Sequence, residues 1–464
     1  MDAFDIVVIG AGPGGYPAAI RAAQRGASVA IIEKEQLGGT CLNWGCIPTK
    51  ALIAASHVFA SIKHAEAFGI SVKGATVDYA AMIAHKNKAV GTLRNGVKQL
   101  LTANGVKQFA GTASFKTRDT IEIASQDGTT LIGTKKTIIA TGSTSVMPGF
   151  LPKHARVVES RAFLDMDKLP ETMIVLGGGF IGCELACMAA QLGVKVTIVE
   201  LLEDILLLLD GDVRRTVRAH MEKELGIRVL TGKAMENITA DNKAVRGKCG
   251  DGTVEAELLL SAIGRKPVTD GLKPENAGVK LNERGFITVD DFGRTNVAGI
   301  FAIGDVNGRI QLAHNATSQG IIAADNACGQ KLRKYEAIVP NVIFTVPEVG
   351  TAGLSEDDAR KQGREVKTGK FAFAGLGRAI SVGETTGFVK WIADAKSDQL
   401  LGAAVVGPRA TELVAEAATA IRAELTATEL GRTIHAHPTF SEAWMEAAHA
   451  LHGEAIHGSP KRKK

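Results

Sequence analysis

In FDIVVIG (residues 4–10) a continuous apolar run, Ile6–Ile9, breaks at a glycine-rich turn, and apolar positions resume through YPAAIRAAQRG to residue 26. That pattern predicts a buried strand, a tight turn and a helix, with Gly10, Gly12 and Gly15 filling a GxGxxG spacing. A second apolar strand, SVAIIE, follows and ends in the acid Glu33. The same succession returns in TMIVLGGGFIGCELACMAAQLG (172–193), which carries Gly177, Gly179 and Gly182 and leads into VKVTIVE, ending in Glu200. GASVAIIE (26–33) aligns with GVKVTIVE (193–200) without a gap. The chain therefore contains two copies of one strand–turn–helix–strand unit.

Further strand-like runs, TIIATGS (137–143) and LLLSAIGRKP (258–267), end in glycine, one after each unit. FAIGDV (301–306) is another, and it closes on Gly304 and Asp305. From about residue 345 the pattern changes to strands such as GFVKWIA and LLGAAVVG followed by Ala-rich helices, which predicts a separate α+β domain. The expected architecture is α/β, with two Rossmann-like dinucleotide-binding domains and a C-terminal α+β domain. Its expected limits are 1–147 for the first unit, 148–272 for the second, 273–344 for a return to the first, and 345–464 for the last domain.

Glycine is needed in each turn for three physical reasons. The first permits the turn, the second lets backbone N–H groups approach a pyrophosphate, and the third lets helix and strand pack closely. An acid at the end of the second strand suits the hydroxyls of an adenosine ribose. Glu200 is followed by Leu201, Leu202 and Glu203, with no arginine to hold a 2′-phosphate, so NAD is expected rather than NADP.

Composition narrows the class. At 464 residues, with 45% apolar and 22% charged residues, the chain has the make-up of an ordinary globular protein of about three domains. A net charge of only +5, with its basic run SPKRKK at the extreme C-terminus, does not point to nucleic-acid binding. No single apolar run approaches the ~18 residues of a membrane span. The N-terminus enters a strand within a few residues, without a basic leader or cleavage site, which gives a cytoplasmic location as the expectation. Six cysteines in so long a chain do not make a secreted disulfide framework.

Two of those cysteines, Cys41 and Cys46, lie in GGTCLNWGCIPTK (38–50). On a regular helix residues five apart are about 8–9 Å apart at Cα, beyond the ~7 Å reach of a disulfide. A bridge there requires a broken helix, and Gly45 and Pro48 are placed to break it. So small a loop gains little stability from a bridge. A metal site would need more ligands, and the other close thiols, Cys183 and Cys187, sit in the second fingerprint helix, so no metal is expected. The remaining reading is a reversible disulfide beside a nucleotide site, which exchanges two electrons and so calls for a flavin able to pass them to a nicotinamide. Thiol exchange also needs a base. HAHPTFSE (435–442) supplies His435 and His437, with Glu442 near enough to orient an imidazole.

The chain resembles the FAD-dependent pyridine nucleotide–disulfide oxidoreductases along nearly its whole length. The motifs that carry the resemblance are, in order, GAGPGGYPAA, GGTCLNWGCIPTK, ATGS, GGGFIGCE, AIGRKP, GDV, LAHNA and HAHPTFSEA. The CLNxGCIPxK form is similar to the branch that oxidises protein-bound dihydrolipoyl groups. Glutathione-reductase-like and mercuric-reductase-like members, which use NAD(P)H, are the alternative. Trp44 and Thr49 depart from that branch, where valine and serine are common.

The resemblance implies that FAD is bound by Gly10, Gly12, Gly15, Glu33, Lys50, backbone near Ala113, Asp305 and Ala313. It likewise implies that NAD is bound by Gly177, Gly179, Gly182, Glu200 and Gly264, with Glu184 near both rings and paired with Lys50. It further implies a homodimer joined through the last domain, in which His437 and Glu442 serve the cysteines of the partner subunit. The expected partner is the lipoyl-bearing acyltransferase core of a 2-oxo acid dehydrogenase complex, or a lipoyl carrier protein of the glycine cleavage system.

Overall fold

The computed structural model of the chain describes residues 1–458; the basic run SPKRKK lies outside them. The strand Ala3–Ile9 lies between Val29–Glu33 and Gly128–Ile139, parallel to both, with Val8 opposite Ile31 and Ile138. Helices cover such a sheet on its faces, which is why these strands read as continuous Val/Ile runs rather than alternating ones. The strand Gly128–Ile139 is long because it serves two partners. Its first half pairs antiparallel with Thr120–Ser125, and its second half joins the parallel core. Ile300–Ala302 comes back from far along the chain to lie parallel to Thr137–Ile139, completing this first sheet.

The second unit repeats the plan. Thr172–Leu176 sits between Lys195–Val199 and Leu258–Ser261, all parallel, with Arg228–Leu230 and Val157–Glu159 at the edges. A three-stranded antiparallel sheet, Met235–Ala240, Val245–Cys249 and Gly252–Ala256, packs beside it.

The last sheet is antiparallel, in the order Asn341–Ile343, Val349–Gly353, Leu400–Val406, Phe388–Asp394 and Val366–Ala372. It opens with Asn341–Ile343, a few residues ahead of position 345. The helices Ala410–Arg422 and Glu442–His452 pack on it, and the fully buried Trp391 and Trp444 meet in the core between, their rings tilted at 48° with centres 4.7 Å apart. Lys390 of this sheet, almost fully buried, reaches Asp210 at 2.5 Å and Asp212 at 2.9 Å at the start of the second unit's helix Gly211–Lys223. A buried ammonium needs such partners to stay charged, so this contact ties the last sheet to the second unit.

One helical stretch, Gly39–Lys63, is long and apolar enough to cross a membrane by length and composition, although no uninterrupted apolar run in it is. Here it is broken at Gly45, and its second part, Cys46–Lys63, packs against the helices Tyr79–Ala103 and Phe180–Gln191.

Candidate active site

The two glycine turns have the same internal geometry. Gly10 and Gly177 adopt φ +98° and +109°, where an L side chain is strained, and a Cβ on either would run into the carbonyl of Ala140 or Ala262. A Cβ at Gly15 would overlap the Gly10 carbonyl oxygen, and one at Gly182 the Gly177 oxygen, so both are packing glycines. The middle glycines differ. A Cβ on Gly12 would find its nearest atom at 3.9 Å, and one on Gly179 would find nothing within 4 Å. The space beside them is a cradle that any side chain would fill, as a pyrophosphate site requires.

The acids close the turns in matching ways. Glu33 accepts the Ala11 N–H at 2.8 Å and the Glu35 N–H at 2.9 Å. Glu200 accepts the Gly178 N–H at 2.6 Å and the Leu202 N–H at 2.8 Å. Each carboxylate is thereby fixed against its own glycine turn.

Cys41 and Cys46 form a disulfide with a Cα–Cα distance of 4.6 Å. The helix Gly39–Trp44 stops at Gly45, whose φ of −136° and ψ of −106° turn the chain before Cys46–Lys63 begins. The break lies at Gly45 alone. Pro48 falls in the first turn of the second helix, where its missing N–H has no helical partner to lose, so its expected part in the distortion is not needed. Asn43, buried, donates to the Leu37 and Gly39 carbonyls at 2.9 and 3.0 Å and so ties the short helix to the loop before it.

The disulfide faces a cavity of about 950 Å³. From the first unit, Gly10, Gly12, Glu33, Lys50 and Ala113 line it, joined by Asp305 and Ala313 from later in the chain. From the second unit, Gly179, Glu184 and Gly264 reach the same space. Gly15, Gly177, Gly182 and Glu200 lie behind the wall. The cavity thus runs past the disulfide from one glycine turn to the other, and the open cradles beside Gly12 and Gly179 have room for a pyrophosphate at each.

Polar pairs fix its walls. Lys50 Nζ meets Glu184 Oε2 at 2.8 Å and lies 4.6 Å from the centre of the Phe344 ring. The buried Glu184 also accepts the Phe344 N–H at 2.8 Å. Asp305 accepts from Ser143 Oγ at 2.5 Å, and Arg265 donates to the same hydroxyl at 2.7 Å and to the Ser143 carbonyl at 2.8 Å. Burial lowers the Arg265 pKa, although the nearby Asp305 and Glu159 carboxylates oppose it. Ala313 begins the helix Ala313–Ala327, so its N–H is free of helical partners.

His437 and Glu442 do not line this cavity. His437 is exposed, with Nδ1 2.9 Å from Glu442 Oε1, while Oε2 of the same carboxylate accepts the Thr439 N–H at 2.8 Å. Burial opposes ionisation of Glu442, but the Thr439 N–H and His437 outweigh it and hold its pKa below the ordinary carboxylate range. His435 is differently placed: its Nε2 meets Glu416 at 2.6 Å and its Nδ1 meets the Thr433 carbonyl at 2.9 Å. Both ring nitrogens are engaged, which leaves His437 as the histidine of the pair with a free nitrogen.

Several lining residues had no role in the sequence reading. Ser143 and Arg265 stand inside quoted motifs, but their meeting depends on the strands Ser143–Ser145 and Arg265–Pro267 pairing across the units. Cys183 and Cys187 are buried, and burial raises both thiol pKa values, so they are poor nucleophiles. Among the described residues no group of His, Cys, Asp and Glu is arranged to hold a metal.

Comparison with known proteins agrees with this geometry. Residues 4–320 match the pyridine nucleotide-disulphide oxidoreductase family, and residues 339–448 match the dimerisation domain of that family. The chain belongs to the pyridine nucleotide-disulphide oxidoreductases: it is an FAD-containing oxidoreductase that works with NAD, and its dimerisation domain supports a homodimer. Its full-length relatives include proteins named dihydrolipoyl dehydrogenase. That of Chlamydia pneumoniae is 44% identical, covering 99% of each chain. That of Halobacterium salinarum is 44% identical over 98% of this chain and 97% of its own. Among solved structures, LpdA from Mycobacterium tuberculosis superposes with a TM-score of 0.91 at 28% identity, covering 97% of this chain and 100% of that one. The HOCl-induced flavoprotein disulfide reductase RclA from Escherichia coli gives 0.86 at 29% identity, covering 97% and 99%.

Proposed function

We propose that the chain is a dihydrolipoyl dehydrogenase, which oxidises protein-bound dihydrolipoyl groups and delivers the electrons through Cys41–Cys46 and FAD to NAD. The observation that carries this reading is a disulfide on a broken helix facing the same cavity as both glycine turns. Full-length relatives of that name at 40–44% identity favour it over the glutathione- or mercuric-reductase-like alternative.

His437 acts as the base in this scheme. With Nδ1 turned to Glu442, its Nε2 is left to take a proton from one dihydrolipoyl thiol. The resulting thiolate attacks Cys41 Sγ, forming a mixed disulfide and releasing Cys46 as a thiolate. The second substrate thiol then attacks the substrate sulfur of that mixed disulfide. Oxidised lipoyl leaves, and Cys41 is restored as a thiol. The ionised Glu442 stabilises the protonated imidazole between these steps. FAD in the first unit supplies the two-electron relay from this dithiol to NAD in the second.

Gly10, Gly12, Gly15, Glu33, Lys50, Ala113, Asp305 and Ala313 are assigned to FAD, and Gly177, Gly179, Gly182, Glu200 and Gly264 to NAD. Glu184 sits where the two meet. Because His437 lies away from this chain's own disulfide cavity, it is assigned to the cysteine pair of the partner subunit. The domain limits 1–147, 148–272, 273–344 and 345–464 belong to the same proposal. So do a cytoplasmic location and a lipoyl-bearing acyltransferase core or carrier protein as the partner. The deciding test is turnover of dihydrolipoamide with NAD against turnover of oxidised glutathione with NADPH. Only the first pair is expected to react; turnover of glutathione alone would overturn the assignment.

A further inference from the structure

We propose that Trp44 and Arg161, with Glu35, form a clasp over the cofactor channel that retains FAD in the first nucleotide unit. The proposal rests on the flavin reading above. Trp44 stands between the two cysteines, where valine is common in this branch of the family, and it lines the channel. The Arg161 guanidinium lies 3.8 Å from the centre of the Trp44 indole, and its Nη1 is 2.9 Å from Glu35 Oε2. Glu35 is two residues beyond Glu33, whose carboxylate braces the first glycine turn. The three residues therefore join the disulfide helix, the strand end at the glycine turn, and the entrance to the second unit.

Arg161 is set in place by a helix fixed at both ends. Its helix, Ser160–Leu164, is capped by Glu159, which accepts the Arg161 N–H at 2.8 Å and the Ala162 N–H at 3.1 Å. At the other end the buried Lys86 donates to the Leu164 carbonyl and to Asp165, each at 2.8 Å. Lys86 belongs to the helix Tyr79–Ala103 of the first unit, so the segment that carries Arg161 is anchored to the domain it covers. The Arg161–Glu35 ion pair is half exposed and contributes little by itself; its part is to hold the guanidinium over the indole. Glu35, Trp44 and Arg161 all border the channel, so a ligand leaving past this wall must separate them.

The test is the rate of FAD release from purified holoenzyme in mild denaturant, followed by the rise in flavin fluorescence. Arg161→Thr and Trp44→Val are each expected to speed release about tenfold, the scale of a partly desolvated cation–π contact. The double variant should be no faster than the singles, because both break the same contact. Trp44→Phe, which keeps a ring under the guanidinium, should stay near the wild-type rate. Melting temperatures of the FAD-free forms report any general loss of stability separately. Wild-type protein that binds no FAD would overturn the flavin reading and the clasp with it. Variants that bind FAD but release it at the wild-type rate, or a double variant showing the product of the two single effects, would overturn the clasp alone.

Discussion

The Lys50 ammonium and the Glu184 carboxylate meet at 2.8 Å across 134 residues of sequence, joining the helix behind the disulfide to the fingerprint helix of the second unit. Glu184 is buried and also holds the Phe344 N–H. Glu184→Ala leaves both groups without their acceptor, and a loss of about 1–3 kcal/mol in unfolding free energy is expected. Glu184→Gln keeps an acceptor for Phe344 and should lose less. Equal losses in urea unfolding would mean that the acceptor kept for the Phe344 N–H adds nothing beyond the carboxylate charge.

Gly12 and Gly179 offer a clean separation of the two nucleotide sites, because a side chain at either enters open space rather than protein. Gly12→Val should fold, as seen by circular dichroism, yet purify depleted of FAD. Gly179→Val should keep its FAD and show an NAD KM raised at least ~10-fold. The reverse pattern would exchange the assignments. Gly15→Ala, by contrast, sets a methyl against the Gly10 carbonyl and should lower the yield of folded protein itself.

His437→Gln should reduce dihydrolipoamide oxidation by ~10²–10⁴-fold, the usual range for loss of a general base, while leaving the disulfide reducible by NADH. Glu442→Gln keeps the contact to the imidazole but not the charge, and should fall between that variant and wild type. Full activity in His437→Gln would remove the residue from the mechanism.

The neighbouring His435 predicts a stability effect with a definite sign. Its hydrogen bond to Glu416, working against burial, raises its pKa above the ordinary histidine value. The pair's contribution is therefore complete below an unfolded-state pKa of ~6.5 and is lost as pH rises through the raised folded value. The melting-temperature gap between wild type and His435→Gln should narrow from pH 6 toward pH 9. A gap that widens would reverse the assignment of charge.

Much of this site can be read from sequence because its parts are local. A glycine turn followed by an acid 23 residues on is a short-range geometric unit, and in both copies the acid does bond the turn. The cysteine pair was legible for the same reason: five residues of separation can close only through a break such as Gly45. What could not be read were meetings between distant segments. The Ser143–Asp305 and Ser143–Arg265 contacts span 162 and 122 residues, and each residue alone is an ordinary polar side chain. Trp44 stood out by type, but nothing in the sequence pointed to Arg161 as the group that covers it.

The strand Ile300–Ala302 completes the first sheet only by returning after the whole second unit has intervened. As the chain emerges from a ribosome, its N-terminal unit must wait, with the Thr137–Ile139 edge bare, until some 160 further residues have been made. The second unit has all its strands in sequence by then and is free to form first. Chains ending at residue 272 and released from the ribosome should accordingly protect the later of the two repeats from protease while the earlier remains open to it.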